Sequence, residues 1–158
     1  MKIHPEVKIG HVHLTVANLE RSLAFYRDIL GFEVTSRYGD SAVFLSAGGY
    51  HHHIGLNTWQ GAGATPPPSG HSGLYHFAIL FPTRKELALA LKRLMDANYP
   101  ISGASDHGVS EAIYLEDPDK IGIELYVDRP EAQWKRNDNG DIEMVSEPLD
   151  LDNLLKEL

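Results

Sequence analysis

The sequence predicts an α+β fold built from two copies of a β-α-β-β-β unit. Two strand-like stretches each carry a histidine that lies seven residues before a helix-capping residue: His11 precedes Asn18, and His76 precedes Thr83. The second pair lies 65 residues after the first, and a stretch rich in glycine and proline separates them. Because a histidine recurs at the equivalent position of both copies, we expect the copies to share their fold and the two histidines to share a function.

The repeat defines the domain organisation. We expect one domain over residues 1–128, with modules at about 8–58 and 74–128 and a linker at 59–73. Residues 129–158 are polar and acidic, and we expect this C-terminal tail to pack on the domain or cap it as a flap or arm. The tail carries no recognisable chemistry.

The first module contains one predicted helix and four predicted strands. Asn18 is a suitable N-cap, and Gly31 is suited to end the helix. The predicted helix spans Leu19 to Leu30, and the strands span Lys8 to Val16, Phe32 to Tyr38, Ala42 to Ala47 and Tyr50 to Asn57.

The second module repeats this order. Thr83-Arg84-Lys85-Glu86 is a capping box for a helix that continues to about Ala97. The predicted strands are Leu74 to Phe81, Pro100 to Ser105, Glu111 to Glu116 and Ile121 to Val127. In the tail, Asp150 to Leu158 is predicted to form a short amphipathic helix.

Composition restricts the class of partner. The chain has 158 residues, a formal net charge of −8, no cysteine and nine histidines. A negative charge of this size argues against nucleic acid or an anionic membrane as the main partner, and the absence of cysteine excludes disulfides and thiolate chemistry. The sequence shows no membrane-spanning run and no signal-peptide pattern, so we expect a cytoplasmic protein.

The last predicted hairpin carries an unusual carboxylate. Asp117-Pro118-Asp119 is a turn signal between two apolar runs. Glu124 lies in the second run between Ile123 and Leu125. A carboxylate inside an apolar strand is costly unless a cation or hydrogen bonds compensate for its burial. The position therefore indicates a nearby positive group, and the histidines favour a metal ion.

Three segments resemble the vicinal oxygen chelate superfamily, which includes glyoxalase I and the type I extradiol dioxygenases. They are GHVHL with His11, YHFAI with His76 and DPDKIGIEL with Glu124. The resemblance implies an open barrel around one divalent metal, with these three residues as ligands. His13 competes with His11, because both lie on one strand face. Two imidazoles and a carboxylate suit Fe(II), with Mn(II) as a further possibility and Zn(II) also known on such ligands.

Three more positions resemble the extradiol dioxygenases in particular. Tyr114 lies ten residues before Glu124, His107 is followed by Gly108 at the start of the same hairpin, and His52 stands in the run HHIGL. The resemblance implies that His52 lies near bound O₂ as a proton shuttle. It implies that His107 and Tyr114 hydrogen-bond the substrate. The implied activity is ring cleavage of a catechol-type aromatic diol by O₂, in a homodimer or higher homo-oligomer.

The sequence also departs from that pattern. His107 is closer to Tyr114 than in such dioxygenases, Lys120 stands where the turn usually has glycine, and the chain has one domain where most have two. Without the resemblance, His52 would be a solvated strand residue, His107 a loop residue and Tyr114 a core residue.

Two alternative functions stay open. One is a glyoxalase I-like isomerase with Ni(II) or Zn(II), although the run YHHHIGLN lacks the carboxylate that this activity would need, unless His51 or His53 replaces it. The other is a metal-free module that binds small aromatic ligands.

Overall fold

The computed structural model describes residues 2–158, which form two compact units. One unit ends at Pro66 and the other extends from Pro67 to Leu158. The boundary lies in the stretch rich in glycine and proline, where few side chains are available to form a core. Each unit has its own sheet and its own helix packed against that sheet.

The first unit is a β-α-β-β-β module with the strand order β1-β4-β3-β2. Strand β1 pairs in parallel with β4, and the other neighbours are antiparallel. Its elements are β1 (Val12–Thr15), α1 (Leu19–Leu23), a π-helical turn (Ala24–Ile29), β2 (Glu33–Tyr38), β3 (Ala42–Ser46) and β4 (Ile54–Asn57).

The helix of this unit starts as predicted but changes its winding. The Oδ1 atom of Asn18 accepts a hydrogen bond of 2.9 Å from the backbone N–H of Arg21, which confirms the predicted cap. The prediction of an α-helix to Leu30 was wrong, because the chain widens into a π-helical turn after Leu23. The wider turn places the consecutive residues Phe25 and Tyr26 in the core together, with ring centroids 4.9 Å apart.

Two strands of the first unit are shorter than the sequence predicted. Strand β1 begins at Val12 rather than Lys8, and β4 begins at Ile54 rather than Tyr50. Neighbouring side chains of a strand point to opposite faces, but the rings of Tyr50 and His51 lie 4.0 Å apart. The chain is therefore curled there, and the histidine run, including His52, precedes the strand instead of forming it.

The second unit repeats the module and adds one strand, in the order β5-β8-β7-β6-β9. Phe77, the first residue of β5, lies 65 residues after Val12, and Thr83 caps α2 as predicted. The duplication is confirmed. The elements are β5 (Phe77–Leu80), α2 (Arg84–Asp96), β6 (Gly103–Asp106), β7 (Ser110–Glu116), β8 (Gly122–Asp128), a 3-10 turn (Glu131–Gln133), β9 (Glu147–Pro148) and α3 (Leu151–Leu155).

The turn between β7 and β8 follows the predicted chemistry. The Oδ1 atom of Asp117 accepts hydrogen bonds from the N–H groups of Asp119 and Ile121, at 2.8 and 2.9 Å. Lys120 has φ +66°, a left-handed conformation that glycine adopts more easily. The glycine that the resemblance implies at this position would therefore fit the turn without strain.

The C-terminal tail is part of the second unit. Strand β9 extends the sheet by pairing with β6, and α3 contacts α2. Arg84 at the start of α2 donates to Asn153 and Glu157 of the tail, and Leu154 is fully buried. None of the helices within residues 2–158 has the length and hydropathy that a membrane-spanning helix requires.

Candidate active site

An imidazole and a carboxylate meet at the edge of the second sheet. His76 lies directly before β5, and its Nε2 atom is 3.0 Å from Oε2 of Glu124 on β8. The two strands are parallel neighbours, with Phe77 paired to Ile123, so their equivalent positions lie side by side. The Glu124 side chain is 14% exposed, which makes its negative charge costly without a cation. This pair offers two donors to a metal ion.

A hydrogen-bond chain continues from the carboxylate to a second histidine. Tyr114 is paired with Glu124 across β7 and β8, and its hydroxyl lies 3.0 Å from Oε1 of that residue. The same hydroxyl lies 2.6 Å from Nε2 of His107. Burial, together with the hydrogen bond to Glu124, raises the pKa of Tyr114 well above its usual range. The phenol is therefore neutral and carries a proton.

The loop that presents His107 is fastened by an ion pair. Gly108 has φ +75°, and its N–H donates to Oδ1 of Asp106 at 2.8 Å. Arg129 donates to the same carboxylate, and to Glu111 at 2.9 Å. Burial alone would raise the pKa of Asp106, but the Gly108 N–H and the Arg129 guanidinium outweigh it and lower that pKa. The carboxylate stays charged and holds the loop.

A cavity of about 440 Å³ opens beside these groups within the second unit. It is large enough for a single aromatic ring with substituents. Its wall includes His76, His107 and Tyr114, together with serines from β6, from the loop before it and from the tail (Ser105, Ser102 and Ser146).

The first unit concentrates histidines near the start of β1 and the start of β4. The ring centroids of His11 and His52 are 4.3 Å apart, and Nδ1 of His51 lies 2.7 Å from Nδ1 of His52. Burial, and then the neighbouring histidines, lower the pKa of His52, which favours its neutral form. A neutral imidazole is able to accept a proton or bind a metal.

The competing histidine of β1 has a different environment. His13 lies against the rings of Phe44 and Trp59, with centroids 5.7 and 5.4 Å apart, and covers Gly55 of the neighbouring strand. A Cβ atom at Gly55 would lie 2.8 Å from the His13 ring. These contacts give His13 a packing role and favour His11 over His13 as the available imidazole.

The structure groups the predicted residues into two sets, one in each unit. His76, His107, Tyr114 and Glu124 form one connected set, and His11 and His52 form the other. Among residues 2–158, no group of three or more histidine, aspartate or glutamate side chains lies close enough together to hold a metal ion. The tail residues Val145 and Ser146, which contact this set or its cavity, were not found by sequence reasoning, because their contacts are long-range or use the backbone.

The donor chemistry fits a divalent metal. One imidazole and one carboxylate converge at hydrogen-bond distance, and the remaining oxygen of Glu124 is held by Tyr114. A hydrogen bond from a residue that is not itself a ligand, such as the bond from Tyr114, orients a ligating carboxylate. Nitrogen and oxygen donors of this kind suit Fe(II), Mn(II) or Zn(II).

Comparison with known proteins gives a family and its relatives. The family model described as Glyoxalase/Bleomycin resistance protein/Dioxygenase superfamily matches residues 8–125. Catechol-2,3-dioxygenase of Bacillus subtilis (strain 168) is 44% identical over 155 residues, covering 98% of this chain and 53% of that protein. An iron-dependent extradiol dioxygenase of Rhodococcus jostii (strain RHA1) is 28% identical over 128 residues, covering 76% of this chain and 43% of that protein.

The fold also matches solved structures. A glyoxylase/bleomycin resistance protein/dioxygenase domain from Frankia sp. EAN1pec superposes with a TM-score of 0.65 and 25% identity, covering 78% of this chain and 98% of that chain. The chain spans about half the length of the curated relatives that it matches.

Proposed function

Because the chain belongs to the Glyoxalase/Bleomycin resistance protein/Dioxygenase superfamily, we propose that it is an Fe(II)-dependent extradiol ring-cleaving dioxygenase acting on a catechol-type diol. The observation that carries the proposal is the connected set of His76, Glu124, Tyr114 and His107. It places a protonated phenol and an imidazole beside two metal donors, at the edge of a cavity that accepts one substituted ring.

The proposed metal ligands are His11, His76 and Glu124. Bound Fe(II) would supply Lewis acidity and a template that holds the diol and O₂ next to each other. Tyr114 limits the freedom of the Glu124 carboxylate through its hydroxyl. That hydrogen bond engages Oε1, while Oε2 is the oxygen that lies 3.0 Å from Nε2 of His76.

Proton handling is assigned to the remaining side chains. His107 and Tyr114 would hydrogen-bond the diol oxygens and hold or move one proton between them, since Nε2 and the hydroxyl are already at hydrogen-bond distance. His52, with its lowered pKa, would accept a proton near the oxygen-binding side. The substrates are then an aromatic diol and O₂, and we expect a homodimer or a higher homo-oligomer in the cytoplasm.

The isomerase alternative receives less support from the structure. A glyoxalase I-like site would need a fourth ligand near β4, and that segment has no carboxylate. His53 is one possible substitute, and the Ser46 hydroxyl at 3.1 Å and the Ala47 N–H at 3.3 Å engage its Nδ1 atom, which leaves Nε2 as its one nitrogen for a metal.

The test is anaerobic reconstitution with Fe(II), followed by catechol and air. We expect a yellow ring-opened product and one O₂ consumed per diol, with Mn(II) compared in parallel. Glu124→Gln should lose both bound metal and turnover, while Glu86→Gln at an exposed position of α2 should keep both. One bound metal per chain without O₂ uptake on a panel of catechols would overturn the proposal, and the glutathione–methylglyoxal adduct would be tested next.

A further inference from the structure

The C-terminal tail holds His107 by two backbone hydrogen bonds. Nδ1 of His107 lies 2.7 Å from the carbonyl oxygen of Val145, and the Val145 N–H donates to the carbonyl oxygen of His107 at 3.1 Å. Val145 lies outside the β-α-β-β-β repeat and is 46% exposed, so its backbone, rather than burial of its side chain, provides this contact.

The tail is fastened on the C-terminal side of Val145 by several contacts. Strand β9 pairs with β6, where Glu147 faces Asp106, and the Leu149 N–H donates to the Ala104 carbonyl at 3.3 Å. Further along, Arg84 donates to Asn153 at 2.8 Å and Glu157 at 2.7 Å. These hydrogen bonds all join the tail to β6 or α2 of the second unit. We therefore infer that the tail is docked in one position.

The Val145 carbonyl determines which nitrogen of the His107 ring carries a hydrogen. A backbone carbonyl can only accept a hydrogen bond, so the Nδ1 atom of His107 must carry the hydrogen. In a neutral ring the Nε2 atom then has a free lone pair, directed at the Tyr114 hydroxyl 2.6 Å away. The Tyr114 hydroxyl has one hydrogen and two acceptors within reach, Oε1 of Glu124 at 3.0 Å and Nε2 of His107 at 2.6 Å, so it donates to one of them at a time.

We propose that the tail around Val145 is a positioning element that selects the Nδ1–H tautomer of His107 and thereby keeps Nε2 as a base facing Tyr114. The catalytic consequence rests on the proposed function, but the tautomer itself does not. With the other tautomer, Nε2 would donate a hydrogen and could not accept one from the phenol or from a diol. Ser146, the next residue, lines the cavity, so the same segment also forms part of its wall.

The first experiment reads the tautomer in the metal-free wild-type protein. Long-range ¹H–¹⁵N correlation spectra of protein labelled at the histidine rings, recorded at a pH where the rings are neutral, distinguish a protonated Nδ1 from a protonated Nε2. The His107→Gln variant identifies the His107 signals by their loss. We expect hydrogen on Nδ1. A ring with hydrogen on Nε2 would overturn the proposal whether or not the protein turns over catechol.

The second experiment perturbs the tail. Val145→Pro removes the N–H that donates to the His107 carbonyl, which is the bond that keeps the Val145 carbonyl beside Nδ1. Asp138→Pro is the control, because Asp138 occupies the second position of an exposed tail turn closed by the Gly140 N–H and the Asn137 carbonyl. We expect Val145→Pro to redistribute the ring hydrogen and to lower kcat by about tenfold or more with little change in KM. Asp138→Pro should change neither.

The outcomes separate the two proposals. An unchanged tautomer and kcat in folded Val145→Pro protein would overturn the role of the tail and leave the dioxygenase proposal intact. If circular dichroism shows that this variant is unfolded, the position of the His107 ring hydrogen in the wild-type spectrum tests the tail proposal by itself. Hydrogen on Nδ1 without any catechol turnover would overturn the dioxygenase proposal and support the tail assignment.

Discussion

The hydroxyl of Tyr114 lies 3.0 Å from Oε1 of Glu124, directly across the pair of strands that the two residues share. Ten residues separate them in the chain because the Asp117 turn lies between them and sets the pairing of β7 and β8. The turn therefore determines which side chains meet at the candidate active site. A slip of one residue would turn Tyr114 to the opposite face of the sheet.

Removal of the Tyr114 hydroxyl should separate catalysis from metal binding. Tyr114→Phe breaks the links to His107 and Glu124 while the ring stays in place. We expect kcat to fall by about a hundredfold, the lower end of the range for loss of a proton-transfer group, with metal content maintained. Tyr99→Phe is the control, since it removes a hydroxyl that donates to the Glu116 carbonyl at 2.8 Å. Equal losses in both variants would indicate a general structural effect.

His52→Ala should keep the metal but lose most turnover. The His52 ring contacts His11 but is not one of the three proposed ligands, and its pKa is lowered by burial and neighbouring histidines. A loss of about a hundredfold in kcat is expected for a missing proton shuttle, measured beside metal content by elemental analysis. His71→Ala in the exposed linker serves as the control. Near-normal activity of His52→Ala would contradict the role assigned to this residue.

Asp106 should contribute stability that depends on pH. Its pKa lies below the ordinary value of 3.8 in the folded protein, so the contribution is complete above that pH and is lost as pH falls through the lowered pKa. Asp106→Asn should therefore be less stable than wild type near neutral pH, by about 1.5–3 kcal/mol for a charged hydrogen bond. Urea unfolding across the acid range should show this difference shrinking below pH 3.8. A difference that is constant with pH would exclude the ion pair with Arg129 as its cause.

Lys120→Gly should stabilise the hairpin. Lys120 has φ +66°, where a side chain is strained, and its ammonium forms only an exposed ion pair with Glu116 at 2.9 Å. We expect the free energy of unfolding to rise by about 0.5–1 kcal/mol, because the relief of left-handed strain exceeds the added unfolded-state entropy of glycine, measured by urea unfolding. Asn98→Gly, at φ +51°, should gain less, because asparagine tolerates this conformation. A larger gain at Asn98 would contradict the assignment of strain to Lys120.

The sequence determined the repeated module and the local contacts of its caps and turns. Helix caps, turn residues and alternating strands depend on neighbours in the chain, so Asn18, Thr83 and Asp117 could be predicted with their partners. The ten-residue spacing of Tyr114 and Glu124 was visible in the sequence, but their hydrogen bond was found only in the structure.

The features that depend on contacts between distant parts of the chain were decided only by the tertiary structure. The curl at the histidine run, the π-helical turn after α1 and the packing of His13 depend on rings and core residues from other elements. The tail contact at His107 could not be predicted, because it uses the backbone of Val145, and every residue except proline has the same N–H and C=O groups. A side chain that bonds its own neighbourhood can be found in a sequence, whereas a backbone group that reaches across 38 residues is identified only in the folded chain.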